Sequence, residues 1–254
     1  MRAVTPRVEL VRYTPDAEEV VAAAARLCYA ADTSDLLQQD PSSAKSFVAR
    51  LRRMGHMSPI EHIAFTFFVE GVSRAMSHQL VRHRIASYSQ RSQRYVDHDG
   101  FDYVIPPQLA GHMVETPDGC MDAAEFFAQT MGIIAQRYAQ INDALGRRGE
   151  RSNEDARYVL PNACETKLFV TMNARELLHL TEERLCRRAQ WEIREVAEQM
   201  LTIARDVCPA VFRGAGPKCI RHGSCPEGKM GCGMYAQMVK LYVGETDGRQ
   251  ANIE

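Results

Sequence analysis

Thirteen consecutive positions, Arg82-His83-Arg84-Ile85-Ala86-Ser87-Tyr88-Ser89-Gln90-Arg91-Ser92-Gln93-Arg94, carry four arginines and one histidine and no lysine. Charge at that density needs an anionic partner. A guanidinium is a planar fork that takes phosphate or carboxylate oxygens two at a time, and the interspersed Ser and Gln add neutral donors. A small molecule with several phosphates suits this set. A solvated basic face would use lysine as readily as arginine, so the absence of lysine counts against that reading. Further arginines stand in similar company: Arg157 in Ala-Arg-Tyr-Val-Leu-Pro, Arg175 after Asn173-Ala174, and Arg184 after Thr-Glu-Glu. Taken alone, Arg184 reads as a helix-surface ion pair at i, i+4.

Several elements are needed to position these groups. Thr14-Pro15-Asp16 reads as an N-cap, a first-turn proline and a first-turn acid. Val20, Val21, Ala24, Leu27 and Cys28 then recur at helical spacing, which predicts a helix over about 16–30. Pro41-Ser42 opens a second helix with Phe47, Leu51 and Met54 on one face and Gly55 as its left-handed stop. The stretch 63–70 alternates as a strand, and 73–84 returns to helix. Positions 87–99 are polar with no apolar period. A long helix is predicted over 123–145, a strand over 165–172, and two helices over 174–207 that stop at Cys208-Pro209. Beyond Phe212 the composition turns to Gly, Pro, Cys and Lys. The expected fold class is therefore α+β: one mixed helix and sheet domain over 1–212, followed by an irregular Cys-rich C-terminal tail over 213–254.

Composition narrows the function. The chain has 254 residues, 45% of them hydrophobic and 25% charged, with Lys+Arg 31 against Asp+Glu 32. That balance excludes a disordered or collagen-like chain and weakens a general nucleic-acid role. No apolar run reaches the ~18 residues of a membrane span, and the first residues lack an apolar leader, so a cytoplasmic location is expected. In that compartment the eight cysteines read as small hydrophobes, reactive thiols or metal ligands and not as disulfides. There is no Gly-x-Gly-x-x-Gly, Gly-x-Ser-x-Gly or His-Glu-x-x-His. The stretch from Gly223 to Lys229 imitates a phosphate loop, but Met230 stands where Ser or Thr is required.

At Arg82 to Arg94 the chain matches Arg-His-Arg-x-x-Ser-x-x-x-x-Ser-x-Arg, and in this it resembles the flavin-dependent thymidylate synthases. Gly55-His56-x-Ser58-Pro59-x-Glu61-His62, Ala156-Arg157-x-x-Leu160-Pro161, Asn173-Ala174-Arg175 and Arg184 extend the resemblance over about 20–212. It implies conversion of dUMP to dTMP with methylenetetrahydrofolate as carbon donor, FAD as redox carrier and NADPH as reductant. It also implies a homotetramer whose active sites are shared between subunits, acting on small-molecule substrates and not on nucleic acid or membrane.

Residue by residue, the resemblance places Arg82, His83 and Arg84 at FAD, with Ser58, Asn173, Arg175 and His179 contacting it from neighbouring subunits and His56 beside the flavin ring. Gln79, Arg82, Arg91, Ser92, Gln93, Arg94 and Arg157 fall at dUMP, the arginines chiefly at its phosphate. Arg184 falls against the uracil ring, where a fixed cation stabilises negative charge. Gln90 falls at both ligands, where many members have Glu after Asn; it keeps hydrogen bonds but no charge. The Pro-Cys-His motif of the thymidylate synthases that attack uracil with cysteine is absent. Reduced flavin is then expected to deliver hydride and relay the carbon, while the protein positions the reactants and supplies the electrostatics. No cysteine is expected to be the nucleophile, and Ser92 is expected to bind only, since no adjacent base is evident.

The alternative from another class is a nucleic-acid-binding module with a zinc-binding tail. In the tail, Cys219, Cys225 and Cys232 could hold zinc with His222 or Cys208 as the fourth ligand. Because Cys-x2-Cys is missing, a tail of free thiols is the preferred expectation. A third possibility is a tail folded over the active site, with Lys218, Arg221 and Lys229 meeting folate carboxylates.

Overall fold

A computed structural model describes residues 1–244; residues 245–254, the end of the expected tail, lie outside the described residues. In chain order the elements are β1 (Arg7–Tyr13), α1 (Ala17–Leu27), α2 (Pro41–Arg53), β2 (Ala64–Ser73), α3 (Arg74–Leu80) and β3 (Ala86–Gln90). Then come β4 (Met113–Thr116), β5 (Gly119–Asp122), α4 (Ala123–Ala144), α5 (Glu150–Ala156) and β6 (Glu165–Asn173). The chain closes with α6 (Ala174–Arg184), α7 (Trp191–Val207), α8 (Pro209–Phe212), α9 (Lys218–His222) and α10 (Tyr235–Val243). This is the expected mixture of helix and sheet. The main sheet has the order β1-β2-β6-β3, and β4 and β5 form an antiparallel hairpin with Met113 opposite Asp122. Among the described residues no helix is long and apolar enough to cross a membrane.

The chain divides into two compact units that interleave along it. The first comprises Met1–Glu9, Phe68–Arg82 and Tyr88–Val170; the second comprises Leu10–Phe67, His83–Ser87 and everything from Thr171. In the first unit, Phe101, Tyr103, Met131, Ala135 and Cys164 form a buried cluster under α4. Gly71 cannot be replaced there: its φ is +67°, and a Cβ would stand 2.1 Å from the Thr5 carbonyl oxygen. In the second unit α7 buries Ile193, Val196, Ala197, Met200, Leu201 and Ala204, the i, i+3, i+4 stripe that its sequence announces. Phe65 meets Phe212 edge to face there at 5.6 Å.

Caps fix several boundaries. Asp40 accepts from the Ser43 N–H at the start of α2, Ser73 from Met76 in α3, and Asn173 from Glu176 in α6. The start of α1 differs from the expectation. Thr14 is not its cap; the Thr14 hydroxyl accepts from the Ala64 N–H, and the helix begins after Asp16, which sits at φ 47°. The buried face of α1 is also turned: Val21, Ala22 and Ala25 are inside, whereas Val20 and Leu27 are exposed. The polar run at 87–99 contains the start of a surprise, since β3 occupies Ala86–Gln90 with alternate residues half-buried. The tail is not wholly irregular either, because α10 closes it and buries Met238 and Tyr242.

Candidate active site

The second unit holds a buried hydrogen-bonded chain built on α6. Asn173 caps the helix, and Glu176 and His179 follow one turn apart. His83, itself only 5% exposed, reaches this face. Its Nε2 accepts from Arg184 Nε at 2.9 Å, so its Nδ1 carries the proton and donates to Glu176 Oε1 at 3.2 Å. Burial, then the positive charge of Arg184, then His179, pull the His83 pKa down to about 4, so the imidazole is neutral at ordinary pH. Burial raises the Glu176 pKa, while His179 pulls it back. Ligand atoms of His83, Glu176 and His179 lie within 4.8 Å of one another. Both His83 nitrogens are engaged, however, so the cluster is a hydrogen-bond relay and not a coordination shell.

This arrangement replaces the surface ion pair that Arg184 suggests in sequence. Among the described residues Arg184 has no carboxylate within ion-pair distance; its hydrogen-bonded partner is the neutral His83 ring. Glu176 and His179, with Asn173, Arg175, Glu61 and Ile85, line a cavity of about 450 Å³, with Arg175 bonded to Glu61. Asn173, Arg175 and His179 are thus brought together as the motif spacing suggests. Ser58 and His56 are exposed just before and within the turn that carries Glu61. Arg84 is exposed, without an ion-pair partner among the described residues. A second cavity of about 510 Å³ in the same unit is lined by Arg52, Arg53, Arg213 and Arg221.

The first unit carries the other group. Arg94 donates from Nε to Glu154 at 3.1 Å and from Nη2 to Glu150 at 2.5 Å. Arg157 donates from Nε to the Glu154 carbonyl at 3.2 Å, and the Ser92 hydroxyl accepts from the Arg94 N–H at 3.1 Å. Arg94, Arg157 and Ser92 therefore converge on α5 and the turn after it. Arg91 is exposed and pairs with Glu165 at 3.6 Å, and Gln93 reaches Cys164 at 3.9 Å. Arg82 is exposed and Gln79 half-buried. Gln90 is committed to the scaffold. Its Nε2 donates to Ser77 Oγ at 2.9 Å and Thr166 Oγ1 at 3.1 Å, and the Ser77 hydroxyl proton is already given to the Arg74 carbonyl. A carboxylate at position 90 would have no proton to give the Ser77 and Thr166 hydroxyls and would lose both donated bonds.

Glu150, Glu154, Glu176 and, as a partner of the tail cysteines, Cys186 were not singled out from sequence; Glu61 was read only as part of the Gly55 to His62 motif. The signal for Glu176 is its i, i+3 relation to both Asn173 and His179; the others lie far in sequence from their partners and leave none. The cysteines behave as thiols of low reactivity where they are buried: burial pushes Cys164 up to about 11 and Cys208 up to about 12.

Residues 9–210 match the model of the family described as thymidylate synthase complementing protein. The flavin-dependent thymidylate synthase of Clostridium tetani is 47% identical, covering 93% of this chain and 97% of that one. Its counterpart from Nitratidesulfovibrio vulgaris is 49% identical over 91% and 95%. Among solved structures, the UMP/dUMP methylase PolB from Streptomyces cacaoi bound with 5-Br dUMP superposes with a TM-score of 0.65 at 26% identity, covering 83% of this chain and 94% of that one. With 39% identity to the enzyme of Pyrococcus furiosus as well, the chain belongs to the flavin-dependent thymidylate synthase family.

Proposed function

We propose that this chain methylates dUMP to dTMP, taking the carbon from methylenetetrahydrofolate and reducing power from NADPH through FAD, as a cytoplasmic homotetramer whose active sites draw on more than one copy. The observation that carries this reading is Arg184: a half-buried cation held by a neutral histidine, with no acid within ion-pair distance among the described residues. Such a group is positioned to stabilise negative charge on a pyrimidine ring as N3 loses its proton or charge builds toward O4, and it needs no reorganisation at that moment. His83 and Glu176 act through it as positioning residues. Arg94, Arg157 and Ser92 suit the nucleotide phosphate, Arg157 and Ser92 by donors that no acid engages.

The donor set fits FAD. A diphosphate needs guanidinium forks and neutral donors in place of the missing glycine-rich loop, and Arg82, Arg84, Arg175, Asn173 and His179 supply them, with Ser58 and His56 near the same turn. Gln79, Gln90, Arg91 and Gln93 complete the residues proposed to face the ligands, Gln90 through its remaining carbonyl oxygen. When bound, the flavin supplies the two-electron reduction; the chain's own groups bind, orient and hold charge. The cavity lined by Arg52, Arg53, Arg213 and Arg221 suits the carboxylates of the folate or the phosphate of the reductant. The nucleic-acid alternative finds no support, since the chain's charge is balanced, Lys+Arg 31 against Asp+Glu 32.

The absorption spectrum of the purified chain tests this reading. A flavin band released as FAD on denaturation is expected, with dTMP formed from dUMP when methylenetetrahydrofolate and NADPH are added. A colourless protein that cannot be reconstituted with FAD would overturn it.

A further inference from the structure

The structure brings together four cysteines that neither cluster above uses. Cys186 follows α6, Cys219 lies in α9, and Cys225 and Cys232 flank the turn at Gly228–Met230. All four line one cavity of about 20 Å³, room for a single ion or water and for no organic ligand. Gly231 completes the cradle: a Cβ there would stand 2.9 Å from Cys225 Sγ.

A second observation is independent of the sulfurs. From Lys218 to Gln237 no residue is buried, yet both ends of this excursion are anchored. Arg205 donates to the Ala215 carbonyl at 2.6 Å and to the Tyr242 carbonyl at 3.3 Å, and the Tyr242 hydroxyl bonds Glu198 at 2.5 Å. A segment with no fully buried residue gains little hydrophobic stabilisation to offset the entropy of ordering it, and its ion pairs, Glu227 with Arg188 and Lys218 and Arg221 with Glu182, are partly exposed and contribute little, so a stronger cross-link suits it. The charge around the cavity matches one cross-link in particular. Arg187, Arg188 and Lys218 against Glu227 leave two positive charges in its wall, and a divalent ion with four thiolates carries two negative ones.

We propose that Cys186, Cys219, Cys225 and Cys232 hold one structural zinc ion, which ties residues 218–237 to the end of the helix that carries Arg184. Each thiol gives its proton to solvent as its sulfur–zinc bond forms, and nothing is oxidised or reduced. The sulfurs close inward on the ion to about 2.3 Å; among the described residues only His83, Glu176 and His179 already bring three ligand atoms within 4.8 Å of one another. The fourth ligand is neither His222 nor Cys208. Cys208 is buried against Glu18 and Val211, and the exposed His222 is not among the residues lining the cavity. The site has no Cys-x2-Cys because its first ligand comes from the turn after α6. Four soft thiolates around a space for one ion select zinc over magnesium or calcium.

The full chain, grown with zinc and purified under reduction without chelator, is expected to contain about one zinc per chain by elemental analysis. Cobalt substitution should give the charge-transfer and d–d bands of a tetrahedral tetrathiolate, a spectrum that histidine ligation would not produce. Cys225→Ser with Cys232→Ser should lose at least tenfold of the metal and become cleavable by protease within 218–237, while Cys28→Ser and His222→Ala keep it. Wild-type protein that takes up no zinc at stoichiometric supply, zinc retained by the double variant, a disulfide in its place, or iron with labile sulfide would each overturn the proposal. The wild-type measurements stand even if the double variant fails to fold.

Discussion

Arg94, in the turn after β3, and Arg184, at the end of α6, are both half-buried arginines, and they are treated in opposite ways. Arg94, in the first unit, is braced by Glu150 and Glu154. Arg184, in the second, is braced by His83, which burial and Arg184 itself keep neutral. A carboxylate brace orients a cation and cancels much of its field; a neutral brace orients it and leaves the field intact. The first arrangement suits a group that recognises a dianion already present when the ligand arrives. The second suits a group whose charge is needed only as the reaction proceeds, because its full strength is then available to the developing anion.

The largest effect that can break this contrast is at Arg184. Arg184→Ala is expected to lower kcat by about 100-fold or more, the loss of roughly 3 kcal/mol of transition-state stabilisation, with FAD content and dUMP affinity nearly unchanged in steady-state and binding measurements. Arg184→Lys should recover little, having no Nε–H to give His83. Arg94→Ala should instead raise the KM for dUMP by about tenfold with a small change in kcat, since a phosphate contact is made in ground and transition states alike. If the two variants show the same kinetic signature, the distinction between the two braces is wrong.

The neutral brace itself can be tested through pH. The folded pKa of His83 is about 4 against about 6.5 in an unfolded chain, so the unfolded state takes up the proton first as pH falls. The contribution is present above pH ~6.5 and is lost as the pH falls toward 4. His83→Gln should therefore flatten the loss of stability between pH 6.5 and 4 in urea titrations relative to the wild type, and an unchanged slope would mean the histidine is charged when folded. The smallest effect is expected at Gln90. Gln90→Glu removes two donated hydrogen bonds and should cost about 1–3 kcal/mol of stability with kcat held within a few-fold; a gain in kcat would show that a base at this position matters.

Much of the framework was legible. The ends of α2 and α4, the start of α6 and the end of α7 follow from caps, stripes and the Cys208-Pro209 stop, because those signals are local; the break between α6 and α7 was not placed. The face of α1 was misread since its alanine-rich sequence allows several stripes, and packing alone turned Ala22 and Ala25 inward. β3 was hidden because a strand whose half-buried positions are Ala86, Tyr88 and Gln90 shows no hydrophobic alternation. β1 and the β4–β5 hairpin passed unread for a related reason: each is short, and charged or small residues interrupt its period.

At the site, the sequence by itself determined which groups are available: the arginine forks, the capped start of α6 with Glu176 and His179 one turn apart, and the absence of an activated cysteine motif. What only the tertiary structure decided is the state of those groups. His83 is neutral, Arg184 held by that neutral ring, Arg94 braced by carboxylates, Gln90 committed inward and Cys186 joined to the tail cysteines. The physical reason is range. Propensity, capping and periodicity act over a few residues, whereas protonation and ion pairing depend on burial and on neighbours far along the chain, 93 positions between His83 and Glu176 and 101 between His83 and Arg184.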